Sequence, residues 1–176
     1  MSAITFIVET LLSLALFVVL ARLLLQWTRA DFRNPLCQAV VRVTNPLILP
    51  LRRVLPPIGK LDTASVVAVI LVGALDVATV AMLNGRGWPE PITWLNLLLL
   101  EIAHMLLSIY LYAIILYALL SMIAPGGYSP LQSVLTSLCE PVLRPIRRII
   151  PPIAGLDLSP LFATLLILGI LSVWLR

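Results

Sequence analysis

The chain has 176 residues, of which 61% are hydrophobic and 11% are charged, and its formal net charge is +4. Soluble domains are about 45–50% apolar and about 25% charged, so this composition, with a mean hydropathy of +1.08, excludes an ordinary water-soluble globule. In a bilayer the backbone must satisfy its hydrogen bonds within helices or a closed barrel. Because the sequence has no alternating strand pattern, we expect an all-α integral membrane protein.

Four long apolar segments predict four transmembrane helices, at about residues 4–27, 63–83, 93–124 and 158–175. Eighteen helical residues rise roughly 27 Å, close to the bilayer hydrocarbon thickness of about 30 Å. No basic segment precedes the first span, so we expect no cleaved signal peptide and a first span that stays in the mature protein.

A motif rich in proline and arginine precedes the second and fourth spans. Residues 46–62 read PLILPLRRVLPPIGKLD, and residues 141–157 read PVLRPIRRIIPPIAGLD, at an offset of 95 residues. We therefore expect two tandem repeats, 1–90 and 91–176, each with two spans. Because each repeat enters the bilayer in the same direction, we expect parallel repeats related by a pseudo-twofold axis along the membrane normal.

Basic residues are concentrated in the two long loops, 28–62 and 125–157. The 84–92 loop and the C-terminus carry one arginine each, Arg86 and Arg176. The positive-inside rule then predicts that both long loops face the cytoplasm and that both termini face outward. The tryptophans fall at predicted span ends, as in an aromatic belt: Trp27, Trp88, Trp94 and Trp174.

Each long loop is predicted to contain an amphipathic helix. Apolar residues follow Pro130 at helical spacing, namely Leu131, Val134, Leu135 and Leu138, and residues 35–44 match them. Each helix either lies in the cytoplasmic membrane interface or packs against the other loop on the soluble side. The prolines that follow, from Pro46 and Pro50 onward, are expected to allow only short helical turns. Pro56-Pro57 and Pro151-Pro152 are expected to impose extended turns.

The repeated motif places two arginines and one aspartate at each cytoplasmic membrane edge: Arg52, Arg53 and Asp62, then Arg147, Arg148 and Asp157. The arginines either anchor the chain to anionic headgroups or form a shaped site for a lipid headgroup or a partner's carboxylate. Each aspartate directly precedes a span, where an acid caps a helix N-terminus. An Arg–Asp bridge within each repeat is a further hypothesis, since it would make this edge rigid.

Four ionisable residues fall in the outer halves of predicted spans: Glu9, Asp76, Glu101 and His104. A charge at the bilayer centre costs roughly 2.5–3.5 kcal/mol on insertion scales, so such residues need a reason. One hypothesis is a single polar cluster that holds a proton or cation, or meets a partner's polar group. The alternative is that Glu9 and Glu101 reach water at the outer interface, which leaves Asp76 unexplained.

The arrangement of span, Pro-led amphipathic stretch, R-R-x-x-P-P-x-x-x-x-D and second span, present twice, resembles the YggT (YlmG) family over nearly the whole chain. Arg22 matches an arginine near the end of the family's first span, whereas the second repeat has Tyr117 there. The resemblance implies an integral protein of the bacterial inner membrane, in which the outward-facing termini predicted from the basic residues would be periplasmic. It also implies links to osmotic stress, cation uptake, and cell division or nucleoid organisation. Plastid relatives are linked to assembly of a b-type cytochrome.

Common catalytic and cofactor motifs are absent from the sequence. It has no Ser/His/Asp set, no phosphate-binding glycine loop and no Cys-x-x-Cys, and one histidine argues against a di-iron or self-contained haem site. We expect no catalytic residue, metal or cofactor, and we expect Cys37 and Cys139 to be free, buried thiols. Arginines at the membrane edge explain the net charge better than nucleic-acid binding does.

These observations favour a non-enzymatic membrane protein that acts as a scaffold, accessory subunit or assembly factor of a larger membrane complex. Its expected partners are anionic lipids and other integral membrane proteins, and the sequence leaves self-association open. The alternative function is a small cation or proton transporter, channel or transport regulator.

Overall fold

The computed structural model describes residues 3–57, 62–83, 85, 87, 88, 90–123, 129–150 and 157–174. Within these ranges the regular structure is entirely helical, as the sequence predicts. The helices are α1 (Ala3–Trp27), α2 (Pro35–Val54), α3 (Thr63–Leu83), α4 (Pro91–Ile123), α5 (Pro130–Ile149) and α6 (Ser159–Trp174).

Three of these helices are long and apolar enough to cross a membrane, which identifies a membrane protein. They are α1, α3 and α4, with 25, 21 and 33 residues and mean hydropathies of 2.5, 2.5 and 2.3. Their bounds agree with the first three predicted spans to within two residues. Helix α6 is apolar but has 16 residues, which rise about 24 Å. The fourth span therefore stays a prediction.

Helix α5 begins at Pro130, as predicted, and is amphipathic. Ser129 is its N-cap, with extended backbone angles, and its hydroxyl accepts the N–H of Gln132 at 3.1 Å. Proline suits the first helical position because its missing N–H would have no intrahelical partner there. The buried side chains recur on one face: Leu135, Leu138, Cys139 and Leu143.

The expectation that the later prolines limit the loops to short turns is wrong. Helix α2 continues through Pro46 and Pro50, and α5 continues through Pro141 and Pro145, so that each has 20 residues. The two prolines of each helix are four residues apart and share one face. All four are exposed, so the carbonyl groups that lose an amide partner lie where water or headgroups can bond them.

Of the two proline pairs that follow these helices, the structure describes only the first. Pro56 and Pro57 lie beyond the end of α2, and the hydroxyl of Thr63 donates to the carbonyl of Pro56 at 2.8 Å. Pro151 and Pro152 lie outside the described residues, as do the basic residues Lys60, Arg86 and Arg176.

The chain forms two compact units that cut across the predicted repeats. The first comprises Met1–Leu23 and Val40–Leu106. In it, α3 is lined with buried small residues, and a Cβ added at Gly73 would come within 3.0 Å of Leu98 Cδ1 on α4. Gly73 therefore permits a close approach of α3 and α4.

The second unit comprises Leu24–Ala39 and Leu107–Arg176. In it, the side-chain amide of Asn34 donates to the carbonyl of Pro130 at 2.7 Å, which ties the start of α2 to the start of α5. Asn34 also caps α2, since its side-chain oxygen accepts the N–H of Leu36 at 2.9 Å. Both cysteines are free and buried, as predicted.

Candidate functional site

Three of the four predicted intramembrane residues line one cavity in the first unit, which we call the acidic cavity. Its volume is about 480 Å³. Helix α1 contributes Glu9 and Ser13, α3 contributes Asp76 and α4 contributes Glu101. The other lining residues are Val77, Val80, Ala81, Gly87, Thr93 and Leu97.

Helical spacing explains which residues reach the cavity. On α1 the lining residues are four apart, and on α4 Thr93, Leu97 and Glu101 continue the same spacing, so each set lies on one helix face. The next position in that series is Met105, which lines a neighbouring cavity with Glu9 and Ser13. His104 is exposed and lines neither cavity. The structure thus groups the three acids without the imidazole.

Asp76 is the most buried of these acids, with 3% of its surface exposed. Its Oδ2 accepts a long hydrogen bond of 3.4 Å from the Ser13 hydroxyl. Its Oδ1 is buried and makes no hydrogen bond with the described residues, and Glu9 Oε1 is in the same situation. Buried polar atoms without partners are costly and uncommon, so these two oxygens point to a partner that the described side chains do not supply.

The polar side chains among the described lining residues offer oxygen atoms only, from three carboxylates and the hydroxyls of Ser13 and Thr93. Among the described residues, no group of three or more His, Cys, Asp or Glu side chains is placed to hold a metal ion. Tight chelation by several carboxylates at once is therefore not what this geometry provides.

The first repeated motif forms an ion pair between the end of α2 and the start of α3. Arg52 donates from Nη2 to Asp62 Oδ2 at 2.6 Å and from Nε to Asp62 Oδ1 at 3.3 Å. Ser65 donates its hydroxyl to the same Oδ2 at 2.6 Å. The Asp62 side chain is 1% exposed, against 41% for Arg52. We call this pair the first clip.

Electrostatics favour the ionised form of Asp62. Burial by itself would raise the pKa of this carboxyl, but the hydrogen bonds from Arg52 and Ser65 and the charge of Arg52 outweigh burial. The pKa of Asp62 therefore lies below its ordinary value. Asp62 directly precedes α3, and its carbonyl accepts the N–H of Val66 in the first turn. Among the described residues, its carboxylate accepts hydrogen bonds from the side chains of Arg52 and Ser65 and from no backbone N–H.

The second motif forms an equivalent pair, the second clip, with more partners. Arg147 donates from Nε to Asp157 at 2.7 Å, from Nη1 to Glu140 at 2.9 Å and from Nη2 to the Tyr117 hydroxyl at 3.1 Å. Asp157 also accepts the N–H of Ser159, the first residue of α6, at 2.9 Å. Here the aspartate both caps the following helix and pairs with the arginine.

Both charged groups of the second clip are stabilised in their ionised forms. Burial disfavours the charge of Arg147, but its hydrogen bonds to Asp157 and Tyr117 outweigh burial and raise its pKa. Burial would likewise raise the pKa of Asp157, yet the Ser159 N–H and Arg147 bring it below the ordinary value. At neutral pH this pair is fully charged.

Arg53 and Arg148, the second arginines of each motif, are exposed, and they form no ion pair or hydrogen bond with the part of the chain that the structure describes. Each directly follows an arginine held by an aspartate. The two clips thus occupy one arginine of each pair and leave the other available.

A polar network around Arg22 was not foreseen as a site. Arg22 is 4% exposed, and its Nη1 donates to the Thr44 hydroxyl at 2.6 Å and to the Asn45 side-chain oxygen at 3.0 Å. An arginine within a predicted span is a signal for such a network, because a buried guanidinium needs acceptors. Its acceptors on α2 could not be identified without the fold.

The two repeats differ in charge at two matched positions around these networks. Under the repeat offset, Arg22 corresponds to Tyr117, and Asn45 corresponds to Glu140. The first repeat therefore has an additional cation, Arg22, and the second has an additional anion, Glu140. Arg22 donates a hydrogen bond to Asn45, and Glu140 accepts one from Arg147.

Comparison with known proteins assigns the sequence to a family. The CCB3/YggT family model matches residues 1–83 and again residues 96–176. This chain belongs to the CCB3/YggT family. The two matches begin 95 residues apart, the same offset as the repeated motif, so each contains one Arg–Asp pair.

Similar proteins occur in several bacteria. An uncharacterized protein of Pseudomonas aeruginosa is 41% identical over 165 residues, 93% of this chain and 84% of the relative. The uncharacterized protein YggT of Escherichia coli K12 is 36% identical over 167 residues, covering 95% and 86%. An uncharacterized Haemophilus influenzae protein is 29% identical over 164 residues, covering 92% and 85%. None of these names denotes an enzyme. No solved structure matches the chain.

Proposed function

We propose that this YggT-family protein is a non-enzymatic scaffold, accessory subunit or assembly factor of a larger complex in the bacterial inner membrane. The observation that supports this role best is the pair of Arg–Asp clips. Each clip joins the end of an amphipathic helix to the start of the next apolar helix and leaves one exposed arginine beside it. The protein therefore offers the same basic surface twice.

The proposed topology has four spans, with α6 as the fourth. Both long loops face the cytoplasm and both termini face the periplasm, in accord with the distribution of basic residues. In this arrangement both clips lie at the cytoplasmic membrane edge. The exposed prolines and arginines of α2 and α5 then face headgroups or a partner's polar surface.

The clips would hold the backbone beside the exposed arginines rigid, and this supports a binding role for the two cytoplasmic edges. An arginine on a preorganised backbone loses less conformational entropy on binding than one on a mobile loop. Arg53 and Arg148 suit anionic lipid headgroups or a partner's carboxylates, because a guanidinium binds such groups through two hydrogen bonds.

The test of this proposal is purification from native membranes in mild detergent through a small tag, with mass spectrometry of the proteins that co-elute. We expect a stoichiometric membrane-protein complex that is lost in the double variant Arg53→Gln/Arg148→Gln. Arg42→Gln, which changes another exposed arginine on α2, is the matched control and should keep the complex. A homogeneous preparation with no partner, wild type and variant alike, would contradict the proposal.

The acidic cavity favours a second candidate function, a small cation or proton transporter or a regulator of such transport. Three carboxylates that line one cavity between apolar helices are the type of feature that marks ion and proton pathways in membranes. Cation flux into proteoliposomes that is abolished by Asp76→Asn would support this function, and absence of flux in the wild type would contradict it.

A further inference from the structure

We propose that the acidic cavity binds a monovalent cation, a hydrated alkali-metal ion or a small organic ammonium ion. This deepens the second candidate function, on which it rests for its role in transport, since it names the ligand class. Binding itself does not require transport, so the two can be tested separately.

The charges of the lining residues call for a cation. Glu9, Asp76 and Glu101 line the cavity, and none of its described lining residues is basic. Only 3% of the surface of Asp76 is exposed, and its Oδ1 lacks a hydrogen-bond partner among the described residues. A bound cation would supply the missing partner and reduce the repulsion among the three carboxylates.

The identity of the lining atoms selects the class of cation. Carboxylate and hydroxyl oxygens prefer hard cations, whereas copper, zinc and iron prefer the nitrogen and sulfur ligands that are absent from the described lining. Calcium takes six to eight oxygen ligands in direct contact, and the described residues hold no cluster of three carboxylates close enough for this. A singly charged cation that needs fewer direct ligands fits better.

The size of the cavity also favours a monovalent cation with a hydration shell or carbon atoms. A volume of about 480 Å³ lies within the range of small-molecule pockets, about 300–1,000 Å³, and far exceeds that of a bare ion. The remaining space fits either the hydration water of an alkali-metal ion or the carbon atoms of an organic ammonium ion. Val77, Val80 and Leu97 supply the apolar wall that such carbon atoms would contact.

Thermal unfolding of the purified full-length protein in lipid nanodiscs tests the proposal. The probes are potassium, sodium and methylammonium chlorides, titrated at constant ionic strength against N-methylglucamine chloride. A cation that binds the folded state raises the unfolding midpoint in a saturable manner. We expect such a rise with at least one probe, and the preferred probe distinguishes an alkali-metal ion from an organic ammonium ion.

Variants locate the binding site. Asp76→Asn should weaken the apparent affinity about tenfold or more, because a charged hydrogen-bond partner is lost from a buried site. Glu101→Gln, at a less buried position, should weaken it by a smaller factor and serves if Asp76→Asn does not fold. Glu90→Gln and His104→Gln change exposed ionisable groups that do not line the cavity, and they should keep the wild-type affinity.

Several outcomes would overturn the proposal. These are the lack of a saturable shift with any monovalent probe, stronger binding of magnesium than of every monovalent probe, and binding that survives in both Asp76→Asn and Glu101→Gln. Binding that appears only in Arg86→Gln would mean that the chain supplies its own cation, which also overturns it.

Flux measurements separate this inference from the transport function. Binding that depends on Asp76 without flux in proteoliposomes supports the cation site and contradicts the transporter. Flux in the wild type that persists in Asp76→Asn, without binding at the cavity, supports a transporter and overturns the site. The loss of both with Asp76→Asn supports both.

Discussion

Arg52 and Asp62 join two helices through an ion pair with two hydrogen bonds, in which Asp62 is almost fully buried and Arg52 is partly exposed. The Asp62 side chain is 1% exposed and the Arg52 side chain is 41% exposed. The pair connects the end of α2 to the start of α3 across the connection that contains Pro56 and Pro57. Its counterpart, Arg147 with Asp157, is exposed at both ends, by 29% and 37%. The two repeats thus use the same pairing in different environments.

This difference predicts unequal effects of the same substitution. Asp62→Asn should lower the free energy of unfolding by about 2–3 kcal/mol, since breaking a buried pair costs about 3–5 kcal/mol and Arg52 is partly exposed. Asp157→Asn should cost about 1 kcal/mol or less, as for exposed pairs, and Arg147 keeps Glu140 and Tyr117. Unfolding by titration with a denaturing detergent measures both.

Arg53→Gln is the control for this comparison, because Arg53 is exposed and outside the clip, and it should leave the unfolding free energy unchanged. Equal losses in Asp62→Asn and Asp157→Asn would contradict the role assigned to burial.

The same pairs predict that acid destabilises the protein. The pKa values of Asp62 and Asp157 are lower in the folded protein than their ordinary value, about 3.9 when unfolded. Such groups contribute stability in full above the unfolded pKa, and this contribution disappears as the pH falls through the folded pKa. The difference in unfolding midpoint between wild type and Asp62→Asn should be constant from pH 7 to about pH 5 and shrink below about pH 4.

Comparing the two proteins at each pH removes the contribution of the other acids, which both contain. A difference that stays constant down to pH 2, or that grows as the pH falls, would be inconsistent with the depressed pKa of Asp62.

The sequence predicted the apolar helices well and the polar contacts only partly. Hydropathy located α1, α3 and α4 to within two residues because an apolar run long enough to cross a bilayer satisfies its backbone hydrogen bonds by forming a helix. The Arg–Asp pairs followed from a repeated motif that brings opposite charges to one membrane edge. The structure brings Glu9, Asp76 and Glu101 to one cavity without His104, whereas the hypothesis of one cluster, which was based on similar depth, included all four, so the cluster stays a prediction.

The expectations that were wrong or incomplete share one physical cause. Each depends on which side of a helix faces its neighbours, and the local sequence does not specify that side. Local rules place a break at Pro46, but the effect of a proline depends on whether the freed carbonyl lies on an exposed face. His104 is near Glu101 in sequence, yet the cavity follows a spacing of four residues that leads to Met105. The network of Arg22 depends on how α1 packs against α2, which periodicity does not specify.

The two cysteines should be unreactive in the folded protein. Burial raises the pKa of Cys139 to about 12, and the charge of Arg147 offsets this only in part. Burial and the nearby Asp31 carboxylate also raise the pKa of Cys37. The reactive thiolate is therefore scarce at neutral pH, and neither sulfur is accessible. We expect no labelling by a maleimide at pH 7.5 until the protein is unfolded.

The matched control is Thr136→Cys, since Thr136 is exposed on the same helix as Cys139. This variant should incorporate one label per chain under native conditions. Labelling of the wild-type protein at the rate of Thr136→Cys would contradict the burial of the native thiols.

Gly73 and Gly169 predict opposite responses to a larger side chain. A Cβ at Gly73 would meet Leu98 Cδ1 at 3.0 Å and Ile102 Cγ1 at 3.4 Å, whereas a Cβ at Gly169 would meet nothing within 4 Å. Gly73→Leu should therefore lower the unfolding free energy by about 1–3 kcal/mol through overpacking. Gly169→Leu should have no cost and can gain up to about 1 kcal/mol from helix propensity.

The effect at Gly73 should extend to the acidic cavity, because Asp76 lies one turn further along α3 and Glu101 lies on the helix that Gly73 contacts. Gly73→Ala is the milder variant, since the flexible end of Leu98 can move away from one methyl group. In nanodiscs we expect cation-dependent stabilisation to decrease from wild type to Gly73→Ala to Gly73→Leu, and to be unchanged in Gly169→Leu. An equal decrease at both glycines would mean that the packing of α3 against α4 does not control the cavity.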